Sequence, residues 1–230
     1  MVIQSFIHLL NEDSGPISQD TVDNPKLMYY HLLRFRSKVI SEKLRSRGYT
    51  LSKFNYQTIP CIPIDVADLS ECPCAPYSGC TWQKTRFRIP TFLKIQSVVS
   101  LTGNIQYDYL QWDRFEDLKN SRFEAERKRP YYTLKNTGDG TYLYLFNDEH
   151  KEFISLTAIF EDPNQVYNFP SCKTGLTNPC FSPLDSEFIL DPDLLPIVYD
   201  LAYNSLFRVQ NKAIDLLDDK NDPETQSPIK

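Results

Sequence analysis

Glycine is scarce in this chain, at 7 of 230 residues against 16 prolines. Loops that cradle phosphate with backbone N–H groups need glycine at fixed offsets, and no Walker loop is present. A Gly-x-Ser-x-Gly elbow and a His-Glu-x-x-His helix are also missing, which removes two common signatures of nucleophilic and zinc-assisted hydrolysis. Histidine is limited to His8 and His31 in helical stretches and His150 in a turn. No apolar run approaches the roughly 20 residues that a bilayer-spanning helix needs. The opening stretch has no basic segment ahead of it, and Glu12 and Asp13 follow it, so a secretory signal is not expected and the chain is expected to be made in the cytoplasm. A net charge of -5 argues against a general nucleic-acid binder.

Aromatic residues are plentiful, with 14 tyrosines and 14 phenylalanines. Few glycines with many prolines and aromatics favour a rigid assembly surface over a mobile catalytic loop. The hydrophobic fraction of 41% and charged fraction of 24% are those of a globular protein able to bury a core.

Val2, Ile3, Phe6, Ile7 and Leu10 recur at helical spacing, and Gly15-Pro16-Ile17-Ser18 stops that helix. Asn24 is placed to cap a second helix, with Pro25 in its first turn, where a missing N–H costs nothing. Met28, Leu32, Phe35 and Val39 form its apolar stripe, widened by Leu33, Ile40 and Leu44, and Gly48 is expected to end it. The stretch from Phe54 to Cys80 carries Pro60, Pro63, Pro73 and Pro76 and shows no sustained period, which predicts an extended connector. Leu93, Ile95, Ser97, Val99 and Leu101 then alternate with polar residues, and Ile105, Tyr107 and Tyr109 continue beyond the turn at Thr102-Gly103-Asn104. Residues 131–135 and 141–146 flank a Gly-rich turn as a hairpin, and 152–160 form the next strand. Asp191 caps a last helix with the stripe Leu195, Val198, Ala202, Leu206, Val209, Ala213 and Leu216.

These patterns predict an α+β fold: a helical bundle formed by the N- and C-terminal helices, with an inserted antiparallel β domain. The expected divisions are a helical hairpin at 1–53, an extended Pro/Cys-rich connector at 54–88, a β domain at 89–170, a loop and helix completing the bundle at 171–217, and a flexible acidic/polar tail at 218–230.

The N-terminal elements, Phe6 to Leu10, Gly15 to Ser18 and Ser46-Arg47-Gly48-Tyr49-Thr50, resemble the tail tubular protein A family, the head-to-tail adaptors of short-tailed phages. The break is one residue tighter than that family's. A second resemblance, to virion proteins of crAss-like phages, is carried by five segments in order: Glu71 to Cys80, Arg129-Pro130-Tyr131-Tyr132-Thr133, Tyr142-Leu143-Tyr144, Ile159 to Pro163, and Asp191 to Pro196. Together the resemblances imply a structural ring protein of the head–tail neck or tail. Its partners would be itself in a twelve-fold ring, the portal protein, the next tail or ring protein, and double-stranded DNA sliding through without sequence recognition. No enzyme activity, cofactor or membrane contact is expected. A carbohydrate- or host-contact module and a DNA-associated protein packaged in the virion remain as alternatives.

Candidate residues follow from charge and aromatic placement. Lys26, Arg34, Arg36, Lys38, Lys43, Arg45 and Arg47 stand against only Glu42 on and just beyond the second helix. Such a run is ordinarily a solvated face; here Arg34, Arg36, Lys38, Lys43, Arg45 and Arg47 are read as a contact for an acidic surface or DNA phosphates. The acidic stretch Asp215, Asp218, Asp219, Asp222 and Glu224 is its complement, with Asp218 and Asp219 the candidate contacts. Tyr107, Tyr109, Tyr131, Tyr132, Tyr142 and Tyr144 belong first to sheet packing and second to a subunit or sugar-stacking interface, with Tyr131, Tyr132, Tyr142 and Tyr144 the candidate contacts. Cys61, Cys72, Cys74 and Cys80 offer four thiols, but gaps of ten, one and five residues do not match the paired spacing of structural zinc sites. They read as buried thiols, and no metal is expected. A cytoplasmic origin argues against a disulfide between Cys172 and Cys180. The pairs Asp191 with Asp193 and Glu161 with Asp162 fit cap and turn roles better than acid–base chemistry.

Overall fold

The structure, a computed structural model, describes residues 1–13, 24–48, 50–68, 82–114, 122–123, 128–146, 152–170 and 182–205. The chain divides into two compact units: Met1–Leu51 with Ser182–Lys230, and Ser52–Phe181.

In the first unit, α1 (Ile3–Asp13) buries Ile3, Phe6, Ile7 and Leu10, the positions its periodicity selects. Helix α2 (Pro25–Arg45) starts where Asn24 accepts backbone N–H bonds from Lys26 at 3.1 Å and Leu27 at 3.3 Å, a cap worth about 1 kcal/mol. The helix stops three residues before Gly48: Ser46 is the C-cap, and Gly48 follows in the left-handed region at φ 82°. A non-helical strap crosses α1. Ile3 N–H donates to the Ser186 carbonyl at 3.0 Å and Phe188 N–H to the Met1 carbonyl at 2.9 Å, making a β-bridge between Val2 and Glu187. Phe188 stacks on Phe6 with ring centroids 5.5 Å apart. Asp191 then accepts the N–H of Asp193 at 3.2 Å, opening a 3-10 turn at Pro192–Leu194 that leads into the helix over residues 195–205.

The second unit is a closed barrel of seven strands. In chain order these are β1 (Gln57–Val66), β2 (Gln83–Thr85), β3 (Phe92–Ser100), β4 (Gln106–Tyr109), β5 (Tyr131–Thr137), β6 (Gly140–Phe146) and β7 (Phe153–Phe160). Around the barrel the order is β1-β2-β6-β5-β4-β3-β7, and β7 returns to β1. Every neighbouring pair is antiparallel except β4 and β5, which run parallel with Asp108 opposite Tyr131 and Tyr109 opposite Tyr132. A parallel step needs a crossover of a dozen or more residues, and residues 110–130 supply it. Ile59, Ile62, Ile64, Val98, Tyr107, Tyr132, Leu143, Leu145, Ile154, Leu156 and Phe160 are among the residues packed in the barrel core.

The expected fold class is therefore corrected. A helical bundle carrying an inserted antiparallel β domain does not describe this chain, because the strands close on themselves with mixed pairing and the terminal helices are tied by an irregular strap at 186–189. The stretch 54–88, expected as a connector, contributes β1 and β2 to the barrel. Its periodicity is hidden by a bulge: Ile59 pairs with Leu156 and Ile62 with Ile154, so Pro60 and Cys61 oppose the single residue Ser155. Cys61 sits at φ 59°, the one non-glycine residue with positive φ among those described. Pro60 is tolerated at the bulge because no ladder N–H is required of it. Two register shifts in β3, at 92–94 and 95–97, likewise move its phase, so that Val98 is buried while Leu101 is exposed.

At the β1–β2 seam Arg86 grips Asp65 with two bonds, Nε to Oδ2 at 2.8 Å and Nη2 to Oδ1 at 2.7 Å, and these hold the Asp65 carboxyl below its usual range. The β5–β6 hairpin turns at Gly138-Asp139. Gly140 lies at φ 144°, where a Cβ would come within 3.2 Å of the Arg88 side chain.

Leu156 is fully buried on β7, the strand bonded to both β1 and β3. Leu156→Ala is expected to cost the barrel about 2–5 kcal/mol in urea unfolding, and exposed Leu101→Ala no more than about 0.5 kcal/mol. Equal losses for the two would contradict this core.

Candidate functional site

Helix α2 presents two opposite faces. Met28, Leu32, Arg36, Val39 and Ile40 are buried. Leu27, Tyr30, Arg34, Lys38 and Arg45 recur at three, four, four and seven residues, so successive side chains stack along one side of the helix, and all five are exposed. Leu27 and Tyr30, exposed by 48% and 61%, form an apolar end, and the cations follow it. Arg34, Lys38 and Arg45 form no ion pair among the described residues, although Glu42 sits one turn from Lys38. The stripe thus combines a net positive charge, three cations against Glu42, with exposed apolar area.

The six cations proposed from sequence are separated by this geometry. Arg34, Lys38 and Arg45 share the outer stripe, and Arg47 is exposed just beyond the helix end. Arg36 points the other way. It is fully buried, and its Nε donates to the Ile189 carbonyl at 2.7 Å, fastening α2 to the strap. Lys43 is half-buried. A helical wheel carries the missing signal: Arg36 lies four residues after Leu32 and three and four before Val39 and Ile40, inside the apolar stripe.

The tyrosines are also redistributed. Tyr132 lies in the barrel core, while Tyr131 and Tyr144 are buried in a second cluster with Ala67, Trp82 and Phe146. Trp112, from the crossover after β4, covers that cluster: its ring lies 4.7 Å from Trp82 and 5.5 Å from Tyr144. Lys135 Nζ sits 4.4 Å from the Trp112 ring centre. Tyr142 packs half-buried at the margin. β6 is consequently buried on both faces, Leu143 and Leu145 inward and Tyr144 and Phe146 outward. Among these four tyrosines none is an exposed stacking platform.

Cys61 is buried as half of a disulfide whose partner lies outside the described residues, so its sulfur is not available as a thiolate for zinc. Cys72, Cys74, Cys80, Cys172, Cys180, Asp218 and Asp219 also fall outside them. Among the described residues no group of three or more His, Cys, Asp or Glu side chains could hold a metal ion.

An open groove of about 450 Å³ runs along the outer side of α1, lined by Val2, Gln4, Ser5, His8, Leu9 and Glu12. His8 Nδ1 lies 3.3 Å from Glu12 with both side chains mostly in solvent, and no hydrogen bond joins Ser5 to His8. A serine, histidine and carboxylate without a nucleophile–base bond or a dry pocket lack the geometry of acyl transfer.

With the geometry in place, the comparisons with known proteins decide the family. The family model of phage tail ring protein 2 matches residues 14–223. The chain belongs to this family. It is also similar to Ring protein 2 of Bacteroides phage crAss001, with 22% identity over 213 residues that span 90% of each chain. This is a structural ring protein of a phage virion, in agreement with the crAss-like resemblance of its sequence. Its ring family makes contacts between copies and with other tail components the relevant chemistry. No helix among the described residues is long and apolar enough to cross a membrane.

Two measurements check this surface. Arg36→Ala leaves the Ile189 carbonyl and a cavity behind and is expected to cost about 2–4 kcal/mol, while Arg34→Ala changes stability by less than about 0.5 kcal/mol; chemical denaturation of the two variants reads the contrast. The Tyr199 hydroxyl donates to the Asp13 carboxylate, and desolvation with that bond pushes its pKa up to about 12. An unfolded tyrosine ionises at about 10. The stability difference between the native chain and Tyr199→Phe is therefore expected to be constant below about pH 10 and to fall towards about pH 12, as followed by urea midpoints. A difference that grows over this interval would contradict the assignment.

Proposed function

We propose that this ring protein is a head-to-tail adaptor: copies close into a ring, twelve-fold by the resemblance of its sequence, that docks beneath the portal and continues the DNA channel towards the tail. The observation that carries the reading is the pairing of ring-family membership with a one-sided, predominantly cationic stripe on α2, in which Arg34, Lys38 and Arg45 stand against the single acid Glu42. A closed barrel offers no unpaired strand edge to a neighbour, so docking relies on side-chain surfaces such as this stripe.

Around a ring each contact is heterologous, the two sides being different patches of one chain. Repetition lets a modest affinity per copy become strong collectively, and the isolated chain is expected to be mainly monomeric at low concentration. The net charge of -5 suits a channel wall that repels DNA phosphates and lets the genome slide. A host-contact role resting on stacked tyrosines keeps only Tyr109 and half-buried Tyr142, because Tyr131, Tyr132 and Tyr144 are buried.

Negative-stain imaging of the chain mixed with its portal tests the reading. The expected image has a ring of density added at one end of the portal. Rings that form in the same mixture without ever joining the portal would overturn the docking role.

A further inference from the structure

We infer that the α2 stripe is one half of the contact between copies, and that its occupant is the acidic segment Asp215–Glu224 of a second copy of this chain. The inference rests on the chain forming a ring and is independent of where in the virion that ring sits.

Charge and composition select the occupant. Arg34, Lys38 and Arg45 lie on one helix side without an ion-pair partner among the described residues. Residues 215–224 hold Asp215, Asp218, Asp219, Asp222 and Glu224 against the single cation Lys220, the densest acidic stretch in the chain. The apolar parts match as well: Leu27 and Tyr30 are exposed at one end of the stripe, and Leu216 and Leu217 stand among the acids. Opposite charges beside small apolar anchors give orientation and contact area together.

Membership of a ring family, in which each copy meets the next, selects a second copy as the occupant. Within the first unit, the helix over 195–205 is held to α1: the Tyr199 hydroxyl reaches the Asp13 carboxylate, the Tyr203 hydroxyl donates to the Asp13 carbonyl at 3.4 Å, and the Tyr199 ring meets Phe6 edge-on at 5.7 Å. α1 packs on α2, whose buried side carries Leu32 and Arg36. The stripe lies on the opposite, exposed side of α2 and is open to a neighbour. Stripe and acidic segment are different patches of the same chain, and such a pairing is heterologous and can propagate around a ring.

Reciprocal charge exchange in the full chain, without portal, tests this. One variant carries Arg34→Glu with Lys38→Glu, and the other Asp218→Lys with Asp219→Lys; circular dichroism confirms that both fold as the native chain does. Sedimentation velocity at low salt is expected to show concentration-dependent association of the native chain, weakened about tenfold or more in each variant alone. An equimolar mixture of the two is expected to recover it, since each then meets an opposite charge on both sides. Failure of the native chain to associate, failure of the mixture to recover, or a stripe variant that loses DNA retention while self-association is unchanged would each overturn the inference. The portal-docking reading stands or falls separately, on the portal images.

Discussion

Strands that are all antiparallel to their neighbours can close into a ring only when their number is even, because direction reverses at every step. This barrel has seven strands, and its one parallel pair, β4 with β5, is what permits closure. Much else in the second unit follows from that step. It demands a long crossover, and the crossover brings Trp112 onto the outer face of β6. Tyr144 is covered there by Trp112, and Trp82, just ahead of β2, meets both Tyr144 and Phe146 on the same face. The aromatic wealth of the chain is spent on a double-sided strand and not on an exposed platform.

Closure also shapes how this member of the phage tail ring protein 2 family can meet its neighbours. A barrel removes the row of free backbone donors and acceptors along which sheets merge, so edge-to-edge strand pairing is closed to it. In the first unit the exposed and buried sides of α2 divide the labour. Arg36 fastens the helix to the strap through a charge-assisted bond to Ile189, while Arg34, Lys38 and Arg45 keep their charge outward. Two arginines separated by a single residue therefore serve different ends, because a step of two along a helix turns a side chain through most of a half-circle.

Several elements were legible in the residue pattern. The apolar spacing of α1, the Asn24-Pro25 start of α2, the 131–146 hairpin and β7 all rest on local signals that tertiary structure did not override. β1 was not legible, because the bulge at Pro60-Cys61 sets Ile59 and Ile62 three apart and breaks the alternation that marks a strand. The phase of β3 was misplaced for the same reason. Within the candidate surface, the charge of α2 was readable, but Arg36 was grouped with exposed cations by counting residue types without regard to the face on which each lies; the tyrosines, read first as sheet packing, are mostly buried as that reading has it.

Local sequence was enough to determine the helical character of α1 and α2, where α2 begins, the sign of its charge and the ring-protein character of the chain. Barrel closure, the parallel β4–β5 step, the burial of Tyr144 and the turning of Arg36 inward were decided only by the tertiary structure. The physical reason is range. Caps, turns and amphipathic stripes act over a few neighbouring residues, whereas strand order, bulge register and a charge's burial depend on partners far along the chain, such as Ile189 for Arg36 and Leu156 for Ile59.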